Sequence, residues 1–228
     1  MKHLAACVAA LLLASCNFAG GPTITEHKSI EMDRSESTRL DLKIGEGELK
    51  LAGGAAKKME AEFAYSEALK PTVESRTSGA TSEISVSQAE NGFSFGHNTS
   101  RWDVRLNDSV PVEVVAKLGA GQADMTLGSL NLRGVNMDIG VGQVNVDLRG
   151  TPKKSYDVRI NGGIGEAKVF LPRSVGITAN AKGGIGEVNV EGLEKRGDRW
   201  INPGHENDPV QITLDAKGGI GEIRIVAQ

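Results

Sequence analysis

Three glutamates at one position of a repeated unit could do chemistry in the body of the chain. The unit reads Gly-Ile-Gly-Glu each time, and the residues are Glu166, Glu187 and Glu222. If the units stack as neighbouring strands, the carboxylates lie about 5 Å apart, and their oxygens could share a divalent cation such as Ca²⁺. The alternative is a solvated polar ladder whose charges nearby basic residues balance. The sequence favours this alternative because four such residues lie close by, Lys168, Lys182, Lys217 and Arg224.

The second residue that could do chemistry is Cys16, whose thiol could carry a lipid. Leu4 to Ala14 form an apolar run that is too short for a membrane-spanning helix of about 20 residues and typical of a secretory signal. The run ends in Leu13-Ala14-Ser15-Cys16, which resembles the lipobox of bacterial lipoproteins. That resemblance implies cleavage before Cys16, a diacylglyceryl group on its thiol and an acyl chain on its new amino group. The alternative is an ordinary signal peptide with a cysteine near its cleavage site.

Other residue types give no pattern that predicts a catalytic group. The second cysteine, Cys7, lies in the segment predicted to be removed, and His27, His97 and His205 are far apart in sequence without a metal-ligand spacing. Glycine-rich nucleotide loops open a helix, whereas a strand pattern follows each glycine pair here. We therefore predict no catalytic residue, no metal site and no cofactor. The net charge of −3 also argues against a nucleic-acid partner.

A sequence repeat must position these residues. Six units contain Gly-x-Gly followed by alternating residues, and their glycines are Gly45, Gly47, Gly119, Gly121, Gly140, Gly142, Gly163, Gly165, Gly184, Gly186, Gly219 and Gly221. Counting from each second glycine, the residues two and four positions later are all apolar, and those one and three positions later are all polar. This alternation is typical of a strand with one buried face. Each unit is therefore predicted as a strand, a glycine turn that permits a sharp bend, and a second strand.

Such short strands cannot bury their apolar faces alone, but stacked repeats can. The sequence therefore predicts an all-β fold, a narrow two-sheet β-solenoid with rungs of about 21 residues, matching the 21 to 23 residues between most second glycines. The predicted solenoid covers 112–228, with a polar insertion at about 191–210. Residues 26–111 are predicted to hold the first repeat and an antiparallel meander. Residues 1–15 are the predicted signal peptide, and 16–25 hold the acylated cysteine and a tether.

The strand around Trp102, the segment Leu106-Asn107-Asp108-Ser109-Val110-Pro111 and the units LGAGQADM and IGVGQVNV resemble the toast-rack domain of bacterial envelope proteins. That family includes relatives of LiaF and of the C-terminal domain of phage-shock protein C. The resemblance implies a β-solenoid and a link to envelope stress, and it supplies no catalytic motif. The chain differs from these relatives because a predicted lipid anchor stands in place of transmembrane helices.

Together these features predict a non-catalytic structural or binding module, held by its lipid anchor in the bacterial cell envelope. Asn17 follows the cysteine where the inner-membrane retention signal of lipoproteins usually has Asp. This implies the periplasmic face of the outer membrane in an organism with two membranes. One alternative is an envelope-stress sensor or adaptor that binds an envelope protein partner. The other is a polysaccharide-active β-helix enzyme, whose long loops and clustered Asp or Arg the sequence lacks.

Overall fold

A computed structural model describes residues 22–89 and 98–228, so the predictions for Cys16 and His97 lie outside the described residues. The strands are β1 (Thr23–Ile30), β2 (Ser37–Ala52), β3 (Met59–Ser66), β4 (Pro71–Ser78), β5 (Thr81–Gln88), β6 (Ser100–Leu106), β7 (Val112–Thr126), β8 (Leu132–Asp147), β9 (Tyr156–Leu171), β10 (Gly176–Glu191), β11 (Glu194–Arg196), β12 (Arg199–Ile201) and β13 (Gln211–Ala227). One short 3-10 turn covers Glu67–Leu69. The predicted all-β class is confirmed. Within the two described ranges, no helix is long and apolar enough to cross a membrane.

The strands form one large mixed sheet that is not closed. Its order is β1-β3-β6-β2-β7-β8-β9-β13-β10-β12-β11, and a branch of β4 and β5 pairs with β2 through β5. The six repeat strands are parallel neighbours whose second glycines lie opposite one another. β10 and β13 stand in the sheet in the reverse of their chain order, because β13 lies between β9 and β10.

Each repeat strand changes its buried face at Gly-x-Gly. In β2, Leu42 and Ile44 are buried before the glycines, and Leu49 and Leu51 are buried after them. Ile44 and Leu49 are five positions apart, so a regular strand would point them to opposite faces. Both join one core cluster because the chain bends between them, where Gly47 has a φ of +145°. We call Gly-x-Gly the corner of each repeat, and the residues before and after it the upstream and downstream halves.

The region predicted as an antiparallel meander is built differently. β4 and β5 pair antiparallel, as do β3 and β6. However, β5 also pairs parallel with the upstream half of β2, and β6 pairs parallel with its downstream half. β5 and β6 thus take the place of one more repeat strand without Gly-x-Gly. Parallel pairing is favourable because it continues the core of β2 through the buried side chains of Ile84, Val86, Trp102 and Val104.

The insertion after β10 forms a small hairpin. β11 pairs antiparallel with β12, and β12 pairs with the upstream half of β10 through Ala179 and Trp200. The hairpin carries the chain back so that β13 can pair between β9 and β10. In the described part of the chain, the downstream half of β10 pairs with β13 on one side and with no strand on the other.

Candidate functional site

The corners pack so closely that only glycine fits. In all six repeats the second glycine has a φ between +133° and +145°, a conformation that L-residues rarely adopt. A Cβ added to Gly165 would lie 1.7 Å from the carbonyl oxygen of Gly142, and one added to Gly163 would lie 2.3 Å from that of Gly140. The other predicted corner glycines meet a neighbouring backbone oxygen at similar distances, except Gly45, where the side chain of Gln88 would be met at 2.9 Å. The glycines therefore let the repeats stack in register.

This stacking exposes the residue between the two glycines. Pairing places Ala120 beside Val141, Val141 beside Ile164, Ile164 beside Ile220, and Ile220 beside Ile185. Val141, Ile164, Ile220 and Ile185 are 48–71% exposed, and Met32 is the one other exposed large hydrophobic residue in the described ranges. We call Ala120, Val141, Ile164, Ile220 and Ile185 the corner row. They form a continuous apolar line along the outside of the corners.

The three predicted glutamates lie side by side immediately after the corners, in the order Glu166, Glu222, Glu187. Lys168 Nζ lies 2.7 Å from Glu166 Oε1. The side-chain amide of Asn189 donates to Glu222 at 3.1 Å and to Glu187 at 3.3 Å. Among the described residues, no group of three or more His, Cys, Asp or Glu side chains is arranged to hold a metal ion. Glu166 thus has a cationic partner and the other two glutamates share an amide, whereas Arg224 pairs with Glu191 and Lys217 with Asp215.

The described histidines are not brought together. His27 Nδ1 lies 3.6 Å from Glu62 Oε2 on β3. His205 Nδ1 lies 2.8 Å from Asp208 Oδ2 within the insertion. Each ring has its own local carboxylate partner.

Gln88 completes the corner of β2, a role that the sequence does not predict. Gln88 Oε1 accepts hydrogen bonds from the backbone nitrogens of Gly45 and Glu46, at 2.7 and 3.0 Å. Its Nε2 donates to the Glu46 carbonyl at 3.0 Å and to Ser100 Oγ at 2.9 Å. The amide thus satisfies backbone groups on the side of β2 where, among the described strands, no further Gly-x-Gly strand pairs with it. In the sequence, Gln88 is one polar residue at the end of an alternating segment, so no signal reveals this role.

The buried Lys58 is a second feature that the sequence does not predict. The Lys58 side chain is 1% exposed, and its ammonium group pairs with Asp33 and donates to Ser35 Oγ at 2.8 Å. Asp33 also accepts from Thr77 Oγ1 at 3.3 Å. The hydrogen bond from Lys58, followed by those from Ser35, holds the pKa of the Asp33 carboxyl well below its usual range. These contacts hold the segment between β1 and β2, which contains Asp33 and Ser35, against Lys58, which directly precedes β3, and Thr77 on β4. Their role is structural.

The stacked corners and the Trp102 strand agree with a known family. The family model described as the N-terminal domain of toast_rack, DUF2154, matches residues 19–170, which is more than half of the chain. The chain belongs to the toast-rack family. The family predicted from the Trp102 strand and the following repeats is thereby confirmed.

Solved structures resemble this toast-rack protein to different degrees. A protein of Clostridium sporogenes, provisionally described as a cell adhesion protein, is 32% identical with a TM-score of 0.87. The match covers 91% of this chain and all of that chain. A provisionally described adhesin of Bacteroides fragilis is 13% identical with a TM-score of 0.37, and the match covers 90% of this chain and 97% of that chain. A provisionally described adhesin of Parabacteroides merdae is also 13% identical, with a TM-score of 0.26, and the match covers 89% of this chain and 96% of that chain. A search of the curated proteins finds no match.

Proposed function

We propose that this toast-rack protein is a lipid-anchored, non-catalytic binding module of the cell envelope, with a role in adhesion. The observation that carries the proposal is its 32% identity to the Clostridium sporogenes protein over the whole of that chain, since that protein is described as a cell adhesion protein. Membership of a family of envelope proteins supports the location. The lipobox ending in Cys16 supports the anchor.

The architecture suits binding to an extended partner. The buried residues of the upstream and downstream halves share one core cluster, which supports the inference that the halves face each other as the two sheets of a narrow solenoid. Stacked strands repeat each surface position about every 4.8 Å, so the polar ladder presents the same contact several times. Several weak contacts on one body give avidity to a repetitive surface.

The anchor is tested by replacing Cys16 with alanine. We expect the native protein to be found in the membrane fraction with a mature N-terminus at Cys16 that carries acyl chains, because several chains anchor a protein firmly. We expect Cys16→Ala to lose this retention, because it removes the thiol that accepts the lipid. Mass spectrometry of the N-terminal peptide and membrane fractionation measure both. Cys7→Ala is the matched control and should leave retention unchanged. An unmodified N-terminus on a soluble native protein would contradict the proposal.

A second candidate function is that of an adaptor in the envelope-stress response, and the open edge of β10 favours it. Val188 and Val190 are half-buried there, because β13 covers the downstream half of β10 on one side only. An exposed strand edge can accept a strand from another protein. No observation favours the polysaccharide-active enzyme.

A photo-crosslinking residue at Asn189 distinguishes the adaptor from the adhesion module. An adaptor should give one discrete cross-linked product in cells at this edge. The matched position is Asn145, on the inner strand β8, where neighbouring strands occupy both edges. The same product from both positions, or none from Asn189, would remove the support for an adaptor.

A further inference from the structure

We propose that the corner row contacts the membrane surface, with its aliphatic side chains inserted into the interfacial layer of a phospholipid bilayer. The row consists of Ala120, Val141, Ile164, Ile220 and Ile185, as defined above. The inference rests on the proposed function through the lipid anchor. It adds which face of the molecule lies on the membrane.

The geometry of the row suits a flat apolar surface. Five parallel strands at about 4.8 Å spacing give a line about 19 Å long. Each side chain stands between two glycines, which have no side chains to shield it. The exposed fraction reaches 71% at Ile185, and Ile164 is 51% exposed. Contiguous apolar residues of this kind on the surface mark contact sites for proteins or membranes.

The course of the chain at its N-terminal side favours a membrane as the occupant. β1 begins at Thr23, which lies opposite Ser66 on β3, and Ser66 N donates to the Thr99 carbonyl at 2.8 Å. Ser100 follows directly and packs against the corner glycine Gly47. The chain therefore joins the sheet at the edge where the corners lie. From Thr23 on β1 to Gly47 on β2 the distance is three strand spacings, about 14 Å, and Ala120, the nearest residue of the corner row, lies one strand further along on β7.

The length of the tether limits where the anchor can be. Six residues separate Cys16 from Thr23, and a fully extended segment of that length spans about 20–25 Å. Acyl chains on Cys16 would therefore hold the corner edge close to the membrane. The opposite edge, where the repeat strands begin and end, would face away from it.

Charge on one side of the row supports the same orientation. Lys182 and Lys217 lie side by side in the register of β10 and β13, just upstream of the corners that hold Ile185 and Ile220, and Lys217 Nζ lies 3.1 Å from Asp215 Oδ2. Lysines near a bilayer surface attract anionic phospholipid headgroups. The polar ladder of Glu166, Glu222 and Glu187 lies downstream of the corners and would be repelled. The row is therefore expected to tilt so that its lysine side lies nearer the headgroups.

The experiment places a fluorescent reporter in the corner row of the acylated protein. Ile220→Cys is labelled with an NBD group on its thiol, since the thiol of Cys16 is expected to carry the lipid. The protein is reconstituted into vesicles of phosphatidylethanolamine and phosphatidylglycerol, with and without a doxyl-labelled lipid. We expect the doxyl lipid to quench about half of the fluorescence or more, because interfacial contacts bury side chains by about 5–10 Å. The control is Lys154→Cys, an exposed residue between β8 and β9, where we expect no quenching.

A further variant shows whether the apolar side chains are responsible. Val141→Ser, Ile164→Ser and Ile185→Ser together leave the glycines and lysines in place, and they should abolish the quenching at position 220. Unchanged quenching in this variant would overturn the proposal.

Other outcomes also decide the proposal. Absence of quenching at position 220 in acylated protein overturns it, as does a rise in fluorescence without quenching, which would show that a second copy or another protein covers the row. Mass spectrometry of the same sample reports acylation. If Cys16 is unmodified, the proposed lipid anchor fails. The corner row is then tested by adding vesicles to the unacylated protein. Quenching at position 220 supports membrane contact, and absence of quenching overturns the proposal.

Discussion

Replacement of Gly165 by alanine is expected to lower the free energy of unfolding by more than about 4 kcal/mol, a loss that few single substitutions reach. Gly165 has a φ of +139°, and such a conformation costs an L-residue about 1–3 kcal/mol. The new Cβ would also lie 1.7 Å from the oxygen of Gly142 and 2.8 Å from its carbonyl carbon. Backbone atoms cannot rotate away as a flexible side chain can, so β9 would have to separate from β8.

Thermal unfolding followed by circular dichroism measures this loss. For a chain of this size, about 4 kcal/mol corresponds to a decrease in Tm of about 8–16 °C. Gly79→Ala is the matched control, because Gly79 has a φ of +60° but no atom within 4 Å of the new Cβ. It should lose about 1–2 kcal/mol. Equal decreases for the two variants would show that the corners do not stack closely.

Gly186 tests the same geometry on the edge strand. A Cβ there would lie 1.8 Å from the oxygen of Gly221, but no strand pairs with the other side of the downstream half of β10 in the described residues. This half can shift outward, so Gly186→Val should lower the Tm less than Gly165→Val. The comparison separates the effect of stacking on both sides from that of stacking on one.

The repeat strands could be predicted because their signals are local and recur six times. Period-two alternation identifies a half-buried strand, and the glycine pair identifies the bend. Strand order could not be predicted in the same way. Either order of β10 and β13 pairs equivalent residues, such as Val188 beside Ile223, so the repeats fit equally well. The order depends on the path of residues 191–210, where a polar hairpin returns the chain.

The sequence predicts neither the pairing of β5 and β6 with β2 nor the corner row, and the two reasons differ. β5 and β6 lack Gly-x-Gly, and Gln88 makes its hydrogen bonds through a side chain that leaves no pattern in the sequence. The corner row lies within predicted units, but its position holds glutamate in the first repeat, Glu46, and isoleucine in the last, Ile220. Its exposure follows from the direction of the bend, which alternation alone does not specify. The three glutamates could be identified because Gly-Ile-Gly-Glu recurs unchanged in three of the units.

Trp102 supplies the second large expected effect, because it joins the N-terminal strands to the repeats. Its side chain is 1% exposed. It lies opposite Leu49 of β2 on one side and Phe63 of β3 on the other. The rings of Phe63 and Trp102 meet edge to face, with centroids 5.4 Å apart and an interplanar angle of 84°. Removal of this ring leaves a large cavity where β3 and β2 meet through β6.

We expect Trp102→Ala to lower the free energy of unfolding by about 3–5 kcal/mol, the usual cost of replacing a buried aromatic residue by alanine. Trp102→Phe should lose much less. It keeps a ring in the core and removes Nε1, which is buried without a hydrogen-bond partner among the described residues and is costly for that reason. Urea unfolding followed by circular dichroism gives both values.

The second tryptophan of the chain provides the matched control. Trp200 is half-buried, and Lys195 Nζ lies 5.2 Å from the centre of its ring, a contact worth about 0.5–1 kcal/mol at an exposed site. Trp200→Ala should therefore destabilise the protein far less than Trp102→Ala. Trp200→Phe leaves Trp102 as the only tryptophan, so its fluorescence reports when β6 leaves β2 and β3. If that fluorescence changes at a lower urea concentration than the circular dichroism, β1, β3 and β6 unfold before the repeats; coincident transitions would show one cooperative unit.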